Sequence, residues 1–82
     1  MEKVINKRPD KKKYYPVRAG DNLTKLREWL KWAKKTSKGQ RFIIVNEYKI
    51  RMAEAKTPEL KKYWKYRYGA GLESKYDIYG SY

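Results

Sequence analysis

The sequence predicts a mainly α-helical fold: a small three-helix domain with a basic extended N-terminal arm and a Tyr-rich C-terminal tail. Three observations predict it. Leu23, Leu26, Leu30 and Ala33 recur at helical spacing behind Asp21-Asn22, a pair able to accept from the first free N–H groups. No Gly or Pro interrupts residues 40–57. Thr57-Pro58-Glu59 combines a capping hydroxyl, a proline at the first helical position and an acid facing the positive helix end. These signals divide the chain into an arm over 1–20, a helical body over 21–69 and a tail over 70–82, with helices near 22–37, 41–56 and 58–68.

The elements follow in order. Residues 1–13 have one Pro and no periodicity, and they close on Lys11-Lys12-Lys13, where like charges oppose local folding. They read as a free basic arm whose removal leaves the body folded. Tyr14-Tyr15-Pro16-Val17 is extended, because Pro16 disfavours helix at Tyr15. The first helix ends where Lys34, Lys35 and Lys38 suit its negative pole and Gly39 stops it. Its apolar stripe carries Trp29 into the core, whereas Trp32 projects off the stripe beside Lys25 and Lys35.

The stretch after Gly39 has two readings. Phe42-Ile43-Ile44-Val45 is β-branched and suits a short buried strand, which would make the fold α+β with a strand at 41–45. Against this, Ser37 and Gln40 have capping-box spacing, and Phe42, Val45, Tyr48 (one step early), Met52 and Ala55 make a broad helical face. Continuous helix is the expectation. Residues 58–68 form the third helix, with Trp64 in the core, and Gly69-Ala70-Gly71 ends it. The tail has no period.

Composition limits function. Eighty-two residues leave room for one small core. With no Cys and no His, the chain lacks thiolate nucleophiles, the usual general base and the commonest metal ligand. The carboxylate pairs nearest in sequence, Glu73 with Asp77 and Glu54 with Glu59, read as solvated charges or helix-end carboxylates. No enzymatic activity and no cofactor are expected. No apolar run is long enough to span a bilayer, so an intracellular (cytoplasmic or nucleoid-associated) or virion-packaged protein is expected.

What remains is charge. The chain holds 22 Lys and Arg against 9 Asp and Glu, a formal +13, with 16% aromatic residues. Polyanions release counterions when such a chain neutralises their phosphates. The expected function is non-catalytic nucleic-acid binding, to DNA or RNA, mainly through phosphate contacts. Sixteen of the cations are Lys and six Arg; Lys suits phosphate contact more than bidentate base readout, so sequence specificity is expected to be low. The candidate residues are Lys11, Lys12, Lys13 and Arg18 in the arm, then Lys25, Lys31, Trp32, Lys34, Lys35 and Lys38 around the first helix. Lys61, Lys62, Lys65, Tyr66, Arg67 and Tyr68 complete the set on the third, where cations and aromatics alternate and rings can stack on unpaired bases. The alternative is a protein-interaction component of a larger ribosomal or viral assembly, contacting protein through Asp77-Ile78-Tyr79 in the tail. A third reading, a membrane-surface helix at 23–35, has the basic amphipathic pattern but not the compact helices that follow it.

Overall fold

The protein is described by a computed structural model over residues 4–82; the first three residues of the expected arm lie outside the described residues. The fold is α+β, not mainly α. Its elements are β1 (Val4–Ile5), β2 (Tyr14–Gly20), α1 (Leu23–Thr36), β3 (Phe42–Asn46), α2 (Glu47–Glu54), α3 (Pro58–Gly69) and β4 (Tyr76–Ser81). The four strands form one sheet in the order β1-β3-β4-β2, with β1 parallel to β3 and β4 antiparallel to both its neighbours.

Two of the expected helices stand. Asn22 caps α1 through its side-chain oxygen, which accepts from the Lys25 N–H at 3.2 Å. Asp21 instead accepts from the Lys75 N–H at 2.9 Å, tying the start of α1 to the chain entering β4. Thr57 caps α3 by accepting from the Leu60 N–H, with Pro58 opening the helix. Gly39 has a φ of +88°, the left-handed conformation that lets the chain reverse after α1.

The continuous helix over 41–56 is overturned. Residues 42–46 pair with β4 over their whole length, and a new helix starts at Asn46, whose side chain accepts from the Lys49 N–H at 3.0 Å. The physical reason is burial on both sides. Ile44 and Val45 are each fully buried although neighbours on a strand face opposite ways, an arrangement suited to a central strand of β-branched residues. The expected capping box is also absent: Ser37 ends α1, and Gln40 donates its amide to the Tyr15 hydroxyl at 2.7 Å and the Ser81 carbonyl at 2.9 Å.

The arm and the tail of the mainly α reading are corrected in the same way. Tyr76–Ser81 is β4, an interior strand with β3 on one side and β2 on the other. Residues 14–20 of the expected arm are β2, and Val4–Ile5 is the opposite edge. Because β1, β3 and β2 all run in one direction, the chain from Ile5 must return along the sheet before β2 begins. Residues 6–13 do so as a strap. Arg8 fastens it to α2 through Glu54 at 2.9 Å and Glu47 at 3.4 Å, and a turn on Asp10 leads it into β2.

The sheet separates two layers. On one face Phe42, Ile44 and Ile78 meet Leu26, Leu30 and Ala33 of α1, with Val4, Leu23, Trp29 and Tyr76 packed around them. Trp29 is half-buried, edge-on to Phe42 at 6.3 Å, with the Arg18 guanidinium over its ring at 5.6 Å. The other face carries Val45, Asp77, Ile43 and Tyr79 in register. There the strap and α2 meet the sheet, and α3 packs on α2 with Tyr68 edge-on to Tyr48 at 5.1 Å. Thus α1 and the α2–α3 pair lie on opposite sides.

Candidate nucleic-acid interface

Ionic contacts divide Arg from Lys. Ion pairs join Arg8 and Arg51 to Glu47 and Glu54, and Arg67 to Glu73 at 2.7 Å. Arginines also lie over aromatic rings, Arg51 over half-buried Trp64 at 4.7 Å and Arg67 over exposed Tyr63 at 5.5 Å. Planar guanidinium groups suit this fork and stacking geometry. Among the described residues, Lys11, Lys12, Lys13, Lys25, Lys31, Lys35, Lys38, Lys61, Lys62 and Lys65 make no ion pair. Glu47 is buried and Asp77 and Glu73 are partly buried, whereas Asp10, Asp21, Glu28, Glu54 and Glu59 stay exposed, so the surface carries some acids among a larger number of lysines.

The α1 surface gathers most of the expected residues. Lys31 and Lys35 lie on the solvent side, opposite the Leu26–Leu30–Ala33 stripe, with Glu28 between them and Trp32. Lys25 lies beside Trp32, and Lys38 is exposed just past the C-cap Ser37. Trp32 is 59% exposed, and its ring lies 6.1 Å from that of Trp29. Through Trp29, the structure brings Arg18 of β2 to this same patch. Lys34 sits apart, lining a shallow cleft with Tyr14, Arg41 and Ile43 at the far end of the sheet.

On α3 the expected set splits. Lys61, Lys62 and Lys65 are exposed on one arc, and Tyr66 is 67% exposed next to it. Arg67 is committed to Glu73. Tyr68 is 4% exposed and turns inward against Tyr48 and Trp64, and burial holds its hydroxyl up at about 12. It is therefore a packing residue, and the alternation of cations with aromatics overstated the outward face of this helix.

Lys11, Lys12 and Lys13 form a third group, on the exposed turn that ends the strap. Next to this turn the sheet assembles something the sequence reading missed: Tyr14, Tyr79 and Tyr82 around one cleft. Only strand pairing unites them, with Tyr14 opposite Ser81 and Pro16 opposite Tyr79. The tyrosine richness of both segments was visible; their adjacency was not.

A second missed feature lies under the strap. Asp77 faces Glu47 rather than Glu73, and its carboxyl is pushed up to about 6 by burial and then by Glu47 beside it. Glu47 is 8% exposed, and its Oε2 is buried with no donor as long as both groups are carboxylates. A proton on Asp77 supplies that donor.

No described helix is long and apolar enough to cross a membrane. No protein-family model, curated protein or solved structure matches this chain.

Proposed function

We propose that this is a non-catalytic nucleic-acid-binding protein that holds its polymer chiefly by the phosphates, with low sequence specificity, inside a cell or within a virion. The observation that supports this reading is the division of ionic labour. Arginines pair with Glu47, Glu54 and Glu73, while Lys25, Lys31 and Lys35 on α1 and Lys61, Lys62 and Lys65 on α3 make no ion pair among the described residues and flank exposed Trp32 and Tyr66. Ammonium groups without internal partners are free to replace condensed counterions on a polyanion.

Salt titration of binding to random duplex, single-stranded DNA and RNA tests the reading. If about six to eight phosphates are neutralised on duplex DNA, log K should fall against log[salt] with a slope of roughly −5 to −7. A flat response, or no binding at low salt, would sink it. Converting Lys31 and Lys35 together to Ala should make the slope shallower by about 2 while leaving the melting temperature nearly unchanged.

Trp32→Ala separates stacking from charge. With its ring largely in solvent, this change should cost little stability, yet weaken binding by about 1–3 kcal/mol with the salt slope preserved. Unchanged affinity for every polymer would place Trp32 outside the contact.

A further inference from the structure

We propose that the tyrosine-lined cleft beside the Lys11–Lys13 turn is a stacking site for one unpaired nucleotide of a single-stranded nucleic acid. The inference deepens the nucleic-acid reading and rests on it. The cleft has a volume of about 260 Å³ and is lined by Tyr14 and Pro16 of β2, Tyr79 of β4, Tyr82, and Arg8 and Lys11 of the strap. This is just below the roughly 300 Å³ at which pockets for drug-sized ligands begin, a size for one base and its sugar.

Its construction favours that occupant. Pro16 and Tyr79 are cross-strand partners on the sheet face away from α1, so β2 and β4 present a rigid aromatic floor. Tyr82 is 80% exposed and is held at the rim, its ring 5.0 Å from that of Tyr15 and its N–H donating to the Lys13 carbonyl at 3.1 Å. The strap wall is pinned by the ion pairs of Arg8 with Glu47 and Glu54.

Charge is divided to match a nucleotide. Arg8 is committed to two carboxylates, which leaves the inner wall close to neutral where a base would sit. Lys11, Lys12 and Lys13 stand at the exposed turn with no ion pair among the described residues, where the flanking phosphates would run. A base inside a duplex offers only its edges to the grooves, whereas an unpaired base can lay its face on a tyrosine ring. The site should therefore discriminate by strandedness and tolerate different bases.

The experiment measures affinity of the full chain for a short oligothymidylate and for a duplex hairpin, at one low salt concentration. Tyr82→Ala and Tyr14→Ala should each weaken oligothymidylate binding about tenfold and leave duplex binding unchanged, while Tyr79→Phe, which keeps the ring, should bind both normally. If Tyr14→Ala fails to fold, Tyr82→Ala decides, since its ring is mostly in solvent. Photocrosslinking of a bromouridine-substituted single strand to the wild-type chain supplies a readout independent of folding, with adducts expected at Tyr14, Tyr79 or Tyr82. Normal single-strand binding by Tyr82→Ala with adducts confined to Trp32 would overturn the cleft and leave the polyanion reading standing. An equal loss for both polymers would also overturn it. Failure of the wild type to bind either polymer would instead bring down the nucleic-acid reading and the cleft with it.

Discussion

Ile78→Ala is expected to leave the protein largely unfolded at room temperature. Ile78 is fully buried in β4, paired with Ile44 on one side and Arg18 on the other, and it packs into the cluster that α1 covers. Truncating such a residue costs about 2–5 kcal/mol through lost burial and the cavity left behind. A core of this size supplies a margin of only roughly 3–5 kcal/mol, and no disulfide supplements it. Loss of the far-ultraviolet circular dichroism signal and of the cooperative melt should follow. The same change in a loose C-terminal tail would do nothing, so a wild-type melt for this variant would refute the placement of β4 inside the sheet.

The second large effect concerns pH. Asp77 lies in the sheet face under the strap, with Glu47 and Arg51 of α2, Arg8 of the strap and Tyr79 of its own strand around it. Its folded-state pKa of about 6 lies above the usual carboxylate value. The folded state therefore binds this proton more tightly than the unfolded chain does. That contribution is fully present below about pH 4 and is lost as pH rises through about 6. Allowing for partial exposure and the two nearby arginines, the loss between pH 5 and 8 should be about 1 kcal/mol or less.

Asp77→Asn should remove that dependence. An amide cannot ionise, and its N–H₂ can donate to Glu47 Oε2 at any pH. Urea unfolding at pH 5 and pH 8 should show wild type weakening while the variant stays level and exceeds wild type at pH 8. Glu54, drawn down by its hydrogen bond with Arg8, acts in the other direction and below this window. An identical decline in both proteins would remove Asp77 as its source.

The sequence by itself determined the two capped helices, the net charge and the outward projection of Trp32. Each is a local property. A helix bonds its own neighbours, so Asn22, Thr57-Pro58 and the Leu23–Ala33 stripe announce it without reference to the rest of the chain. Charge is additive along any sequence, and a residue off the apolar stripe of a single covered helix faces solvent. The tertiary structure alone decided the sheet. Phe42–Val45 carries apolar side chains that fit either period, and only the presence of β1 and β4 alongside makes strand the lower state. Burial does alternate along Tyr76–Ser81, but the residue types hide it, because Gly80 takes a buried position and Tyr79 a less buried one. The inward turn of Tyr68, the Glu47–Asp77 pair and the tyrosine cleft share the same origin. Each depends on hydrogen-bonded strands or packed helices drawn from distant parts of the chain, and such partners leave no mark on the residues next to them.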